Sequence, residues 1–378
     1  MEPESWRNED VFEALDLCLS CKGCAVDCPT GVDIATWKSQ FMAGYYRGRL
    51  RPRAAYAMGL LPRWARVLTR MPRFVNAALA VPGASLVAAL AAGLAPRRRL
   101  PRFAETPWRR TATAAARRDR FDATVVGWPD TFTDAFRPEA GDEIVTLLEA
   151  AGERVAIPTA WACCGRTLYD AGMLDTARSW LRELLDVLAP WIDRDIPVVV
   201  PEPSCLAAFR DELPALLPDD PRALRLAGLA RSASEHLIAT RAWERLGAGD
   251  GVSATAFGSA ERVAIHPHCH ARASKASGAD AELARRLGYE VTTIDGGCCG
   301  LAGSFGFRAE HDALARQIGT EAWLPAVRAA LDDGQATLVA DGFSCRMQLD
   351  DLCGPPARTL AGVLLAGLDR ESGRSPGG

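Results

Sequence analysis

The chain has 378 residues, 24% of them charged, and a formal net charge of −3. That composition excludes wholesale disorder, collagen and coiled coil, and the length suits two to three domains. The small net charge predicts no polyanionic partner, yet it hides an asymmetry. Residues 47–120 hold seventeen Arg against Glu105 and Asp119, a local net of +15, while the remainder carries −18.

The chain opens on an acidic Met1-Glu2-Pro3-Glu4 without the charged-then-apolar order of a signal peptide, which predicts a cytoplasmic protein. Twelve cysteines are many for such a chain. A disulfide framework belongs to short secreted domains, so the spacing decides between disulfides and metal ligation. Within residues 1–50, Cys18, Cys21, Cys24 and Cys28-Pro29 spell C-x2-C-x2-C-x3-C-P, the ferredoxin run for a [4Fe–4S] cluster. Two-residue spacers deliver thiolates to iron corners a few Å apart. Gly23 is expected to let the backbone approach, and Pro29 to redirect the chain. Structural zinc more often appears as two separated C-x2-C pairs. In two-cluster ferredoxins the fourth Cys of each run binds the other cluster, so a single run leaves Cys28 two options. It folds back, or a matching run lies on another polypeptide, which is the preferred reading.

Residues 51–120 form a basic linker that Pro62, Pro72, Pro82, Pro96, Pro101 and Pro107 break into short helices. Phe74 to Ala95 carries no charge and is flanked by Arg73 and Arg97-Arg98-Arg99. Pro82-Gly83 splits it, so two short helices packed on the protein are expected. Peripheral contact with anionic lipid at the inner face of the membrane is a weaker reading, and a spanning helix the weakest. No aromatic-interleaved platform or helix-turn-helix supports nucleic-acid binding.

From residue 121 strands alternate with helices, which predicts parallel α/β layers. The expected strands are Val125-Val126, Val155 to Ile157, Val198 to Val200, Val263 to Ile265, Val291 to Ile294 and Leu338 to Ala340. Helical periodicity marks 143–150, 174–188, 281–287 and 311–331. The six strands form two sets of three. Cys163-Cys164-Gly165 answers Cys298-Cys299-Gly300, and Pro203-Ser204-Cys205 answers Phe343-Ser344-Cys345. Two tandem α/β lobes follow, 121–255 and 256–378.

Loops at the carboxyl ends of parallel strands share one crevice, so Cys269, Cys298, Cys299 and Cys345 are expected to converge in the second lobe. Four soft thiolates suit an Fe–S cluster or zinc. The histidines of His266-Pro267-His268-Cys269-His270 are alternative ligands or sulfur hydrogen-bond donors, with satisfied polar residues the commoner outcome. The first lobe keeps Cys163, Cys164 and Cys205, with Thr131 where the second has Cys269 and Asp130 beside it. Three thiolates and an oxygen suit zinc, an irregular cluster or a vestigial site. Cys353 lies outside both repeats and reads as a small buried residue.

These residues resemble a known family. Leu17 to Cys24 with Cys28-Pro29-Thr30-Gly31-Val32-Asp33 looks like the Fe–S portion of FAD-linked 2-hydroxy-acid dehydrogenases of the glycolate oxidase, D-lactate and D-2-hydroxyglutarate dehydrogenase types. Further matches are Trp128 to Phe132, Cys163 to Arg166, Glu202 to Cys205, Cys298 to Gly306 and Asp341 to Cys345. The tandem lobes are similar to the cysteine-rich (CCG) domain found in heterodisulfide reductase and in the Fe–S component of anaerobic glycerol-3-phosphate dehydrogenase. The resemblance implies an electron-transfer subunit or half-enzyme, an oxidoreductase component with FAD only on a partner chain, and an acceptor such as quinone. Rival readings are a heterodisulfide- or thiol-linked reductase at the second CCG site and a zinc-stabilised interaction module. The long family members carry a flavin domain and a first Cys run ahead of this region. The heterodisulfide reductase type has C-x2-C where this chain has Glu202-Pro203-Ser204-Cys205 and Gly342-Phe343-Ser344-Cys345. No general acid or base for a substrate can be named.

Overall fold

A computed structural model describes residues 6–246, 261–274, 278–331 and 334–371. The acidic start Met1–Glu4 and the expected lobe boundary at 255/256 lie outside the described residues.

Short valine-rich segments with turn residues at both ends form two parallel sheets. In the first, β1 (Val125–Gly127), β2 (Val155–Ala156), β3 (Val198–Val199) and β4 (Ala230–Arg231) lie in the order β2-β1-β3-β4. In the second, β5 (Arg262–Ile265), β6 (Glu290–Thr293) and β7 (Ala336–Val339) lie in the order β6-β5-β7. Register is in step: Val126 faces Ala156 and Val198, while Ile265 faces Thr293 and Val339. Each sheet reverses direction across its first strand, which opens a crevice at the carboxyl ends. The two expected sets of three are present, with one strand more. β4 is a two-residue edge pairing, too short for any periodicity to announce.

The helices follow from their apolar spacing and caps. Helix Leu174–Ile192 buries Leu174, Ala177, Leu181, Leu184, Leu185 and Leu188, an i, i+3, i+4, i+7 stripe on the sheet. Helix Thr131–Phe136 begins on Asp130, whose carboxylate accepts from the Phe132 and Thr133 amides. The expected helix over 311–331 runs as Asp312–Ile318 and Leu324–Ala329, joined through a wider turn at Gly319–Trp323.

The two sheets share one apolar core. Val125, Val145 and Val155 pack in the same cluster as Val263, Ile265 and Val339, and Leu360 and Leu364 of the last helix join them. That helix, Leu360–Glu371, lies against Pro138–Ala150 of the first lobe.

Ahead of the sheets come α1 (Glu9–Asp16), α2 (Gly23–Asp27), α3 (Ile34–Tyr45), α4 (Arg53–Gly59), α5 (Leu61–Leu68), α6 (Pro72–Ala80) and α7 (Ala84–Ala92). Pro62 and Pro72 sit in the first turns of α5 and α6, where the missing N–H costs nothing, so they start helices as much as they end them. The linker docks on both lobes. Arg51 donates to the Ala171 and Gly172 carbonyls, each at 2.8 Å, and Arg63 and Arg66 stack on Trp180 and Trp161. Arg98 is buried in the second lobe, whereas its neighbours Arg97 and Arg99 are exposed. The split at Pro82-Gly83 is as expected, with a bend of 102° between α6 and α7. Their packing differs: α6 buries no residue and α7 only Ala89.

Candidate metal centres

The first cysteine group lies on a tight loop between α1 and α3. Ser20 and Lys22 take left-handed backbone angles, φ 56° and 59°, which wind the loop tightly around Cys21. The amide of Ser20 donates to Cys18 Sγ and that of Ile34 to Cys24 Sγ, both at 3.4 Å. Cys18, Cys21 and Cys24 are close enough for their charges to interact, and burial raises Cys18 and Cys21 above the usual thiol range. Cys28 caps the carboxyl end of α2. Its Sγ meets the Thr30 hydroxyl at 3.1 Å, and that contact, with the Val32 amide, lowers its pKa to about 7. Gly23 is not the close approach expected of it: an added Cβ would meet Cys21 Sγ at 3.6 Å, an ordinary contact.

Basic side chains that the motif alone did not reveal hold this loop. Lys38 is buried and donates to the Cys18 carbonyl at 2.7 Å and the Asp16 carbonyl at 3.2 Å; its desolvation lowers its pKa. Buried Lys22 pairs with Asp33 and Glu212, each at 3.1 Å. Arg166 donates to the Ser20 carbonyl at 2.7 Å, and His270 Nε2 lies 3.0 Å from the same oxygen. A carbonyl only accepts, so His270 carries its proton on Nε2. Arg166 follows the Cys-Cys-Gly of the first lobe and His270 follows Cys269 of the second, so the loop is gripped from both sides.

In the second lobe the four cysteines converge as expected. Thiol contacts link Cys269 to Cys298, Cys298 to Cys299, and Cys299 to Cys345. Each thiol lies above its ordinary pKa; for Cys269 the Cys298 contact comes first and burial second. Four thiolates cannot share this space without a cation, and metal binding requires them deprotonated. The donor set therefore fits a cationic Fe–S or zinc centre. Gly300 makes the turn possible: at φ +87°, an added Cβ would lie 2.2 Å from the Ala315 carbonyl oxygen. The Gly300 amide reaches Cys298 Sγ at 3.4 Å.

His268, Cys269 and His270 place one donor atom each within 4.8 Å of one another. His268 Nδ1 accepts from the His270 amide at 3.2 Å. His266 is turned away, with Trp323 Nε1 donating to it at 3.1 Å. The His268 ring explains Gly342, since an added Cβ there would lie 2.2 Å from its Cδ2. In this chain an imidazole fills the space beside the residue that stands for the first Cys of C-x2-C.

In the first lobe Cys163, Cys164 and Cys205 meet, with Cys164 and Cys205 Sγ 3.0 Å apart and the Thr131 hydroxyl on Cys163. Asp130 is not the expected fourth donor. Its oxygens are taken by the Phe132 and Thr133 amides and the Thr133 hydroxyl at 2.7–3.0 Å, and burial, then Glu202, raises its pKa to about 7. Glu202 itself crosses to the other lobe, accepting from the Phe343 amide at 2.9 Å. Cys353 is exposed, not buried: its φ of 50° ends helix Phe343–Asp351 at the surface.

The centres meet at an apolar cavity of about 150 Å³ whose wall includes Cys21, Cys269, His270 and Glu202 on one side and Met58 and Leu94 on the other. Helix α2 packs directly on helix Cys269–Ala273. Neither Cys163 nor Cys205 borders this space.

The two crevices of repeated cysteines lie in residues 131–210 and 263–350, and both segments match the CCG "Cysteine-rich domain" family. The chain is similar to the Fe–S and CCG half of FAD-linked 2-hydroxy-acid dehydrogenases, as the following relatives indicate. It is 28% identical over 265 residues to a subunit of the anaerobic glycerol-3-phosphate dehydrogenase of Escherichia coli K12, 67% of this chain and 62% of that one. D-2-hydroxyglutarate dehydrogenase of Pseudomonas putida is 23% identical over 379 residues, 90% of this chain and 33% of that protein. Lactate utilization protein A of Bacillus subtilis is 26% identical over 231 residues, 58% and 88% respectively. The chain thus spans about three fifths of the glycerol-3-phosphate dehydrogenase component and a third of the longer dehydrogenase. No solved structure gives a significant match.

Proposed function

We propose that this chain relays electrons for a flavin-dependent dehydrogenase of the 2-hydroxy-acid class, as a subunit or half-enzyme whose FAD lies on a partner chain or domain. The relatives, a glycerol-3-phosphate dehydrogenase component, D-2-hydroxyglutarate dehydrogenase and lactate utilization protein A, support an oxidoreductase component. In this reading residues 1–50 are the [4Fe–4S] segment, 51–120 the linker, and 121–255 and 256–378 the two CCG lobes.

Cys18, Cys21 and Cys24 would hold a [4Fe–4S] cluster, its fourth position filled by Cys28 or by another segment. Cys269, Cys298, Cys299 and Cys345 would hold a second Fe–S centre or zinc. Cys163, Cys164 and Cys205 are a poorer candidate of the same kind. A bound cluster supplies one-electron redox chemistry. The chain's own residues then tune it. The Ser20, Ile34 and Gly300 amides point at sulfur, Lys38 and Lys22 set positive charge against the first loop, and apolar side chains line the space beside Cys21 and Cys269.

The observation that carries the reading is that Cys21 and Cys269 border one cavity, with α2 packed on helix Cys269–Ala273. Two redox sites so arranged suit single-electron transfer, and the cavity suits a ring-sized, lipid-soluble acceptor such as a quinone. The proposed location is cytoplasmic, with peripheral contact at the inner face of the membrane as the second reading. A second reading, disulfide reduction at the second lobe, rests on the same opening onto Cys269. Anaerobic purification followed by iron and sulfide analysis and low-temperature EPR tests these. Reducible Fe–S signals are expected. Iron missing from the second lobe with a reactive thiol there favours the reductase, and zinc without any Fe–S signal overturns electron transfer.

A further inference from the structure

The large apolar side chains that remain exposed are not scattered over the molecule. Of the seventeen among the described residues, eleven fall between Leu50, just ahead of α4, and Leu90 on α7. Trp64 and Val67 on α5, Met71 and Phe74 at the start of α6, and Val87 and Leu90 on α7 are each about half to two-thirds exposed. Single exposed apolar residues need no explanation, whereas a run of them marks an interaction surface. Helix α7 carries no charge at all, and only Ala89 of its nine residues is buried.

The polar groups here do not suit a protein partner. Asn76, the one side-chain amide on α6, is turned inward and spent on both polar atoms of the Phe103 backbone, at 2.7 and 3.0 Å. The outer surface of α6–α7 is left with little to donate or accept, as hydrocarbon requires. Each helix has nine residues, roughly 13 Å, well short of a bilayer core of about 30 Å, and the pair bends by 102°. No helix among the described residues is long and apolar enough to cross a membrane. Such a pair lies in the interface.

Charge surrounds it with one sign. Arg70 precedes α6 and Arg73 lies in its first turn, while Arg97, Arg99 and Arg102 follow α7; all five are exposed. The only acid between residues 47 and 110 is Glu105, which Arg73 takes at 2.8 Å. Among the described residues Arg70, Arg97, Arg99 and Arg102 have no carboxylate in ion-pair reach.

We propose that α5–α7 are a membrane-surface module. The exposed apolar side chains of α6 and α7 enter the boundary between headgroups and acyl chains, and Arg70, Arg97, Arg99 and Arg102 meet anionic headgroups. Leu61 at the start of α5, with Met58 of α4 before it and Leu94 just after α7, lines the wall of the cavity beside Cys21 and Cys269. Where the electron-relay reading holds, a lipid-soluble acceptor would have a short apolar route from the bilayer to the redox sites. The surface itself does not depend on that reading.

The test is flotation of the anaerobically purified full chain with phosphatidylcholine vesicles, with and without phosphatidylglycerol. Binding is expected only with phosphatidylglycerol, and it weakens as salt rises. Each arginine near the surface accounts for roughly a fivefold change in affinity. Phe74→Ser, Val87→Ser and Leu90→Ser combined should cut partitioning at least tenfold with unchanged circular dichroism, since all three side chains are exposed. Arg70→Gln, Arg97→Gln, Arg99→Gln and Arg102→Gln combined should abolish the preference for anionic vesicles. No binding by the unaltered chain at low salt overturns the proposal. So does equal binding by the serine variant, or a serine variant that loses a protein partner while vesicle binding persists. An iron-free preparation that still floats would sink the relay and leave this surface standing.

Discussion

Arg98 offers the sharpest test of how the basic linker is tied to the second lobe. Its side chain is fully buried, with Nε 2.8 Å from the Gly306 carbonyl and 2.6 Å from Asp312, and one terminal nitrogen 2.6 Å from Gln348 Oε1 and 3.0 Å from Asp351. Asp351 is itself 2% exposed, and its other cation, Arg316, is 4.0 Å away. Arg98→Met keeps the stem's volume and deletes every one of these bonds. Asp312 retains Arg316 at 3.0 Å, but Asp351 is left buried with a distant partner. Breaking a buried pair from one side costs about 3–5 kcal/mol, most of it the stranded charge. Arg98→Met should therefore destabilise by about 4 kcal/mol. Adding Asp351→Asn should recover about 2 kcal/mol, because that removes the stranded charge and leaves only lost hydrogen bonds. Urea denaturation followed by tryptophan fluorescence, with limited proteolysis of the linker alongside, reads both effects as midpoint shifts. Exposed Arg99→Met is the control and should stay within about 0.5 kcal/mol of the parent. Equal midpoints for Arg98→Met and Arg99→Met would refute the reasoning.

Three other outcomes can be checked on the same preparations. Gly342→Ala puts a Cβ 2.2 Å from the His268 ring and should destabilise by about 1–3 kcal/mol, with His268→Ala restoring much of the loss; equal denaturation midpoints for Gly342→Ala and the parent would contradict this packing. Asp280 is partly buried, and desolvation first, then the Asp341 charge, raises its pKa to about 7 from an ordinary 3.8. The folded state then holds a proton that the unfolded state has released, so this contribution is complete below about pH 4 and is lost as pH rises through 7. The slope reaches roughly 1.4 kcal/mol per pH unit, and Asp280→Asn should flatten it in urea titrations across that window. Finally, Cys21→Ser should strip iron from the N-terminal site whereas Cys28→Ser should leave most of it in the isolated chain. Equal iron loss in both would bring Cys28 back into the same cluster.

The legible parts of the molecule were those that depend on local pattern. Runs such as Val198-Val199-Val200 announce buried strands because both faces of a parallel sheet are covered. The repeat of Cys-Cys-Gly places thiols at matching strand ends whatever the side-chain details. The illegible parts depend on partners distant in sequence. Arg98 and Arg99 are the same residue type one position apart, yet only Arg98 meets Asp351, 253 residues on. Cys353 reads as an ordinary buried thiol until the helix before it is seen to end in a left-handed residue at the surface. β4 is held by its two-residue pairing with β3 and by no pattern of its own. Lys22 and Lys38 look like solvated charges, since nothing local reveals the carboxylates and carbonyls that bury them.

The departures from the repeat carry as much of the argument as the repeat itself. By position, Thr131 answers Cys269 and Phe132 answers His270, while Arg166 answers Leu301. Each lobe has thus kept a polar donor where the other has an apolar residue, and both donors reach the Ser20 carbonyl. Two identical lobes would offer the N-terminal loop two equivalent seats. With Arg166 on one side and His270 on the other, one seat satisfies both donors, and it sets Cys21 beside Cys269 and not beside Cys205. The first lobe pairs this with a cross-link of its own. Glu202 stands where a thiol would complete C-x2-C, and its carboxylate is spent on the Phe343 amide of the neighbouring lobe. A position that carries a thiol in C-x2-C thus supplies here a hydrogen bond between the lobes, an asymmetry that, under the proposed relay, sets the electron path in the second lobe and the bracing of the cavity in the first.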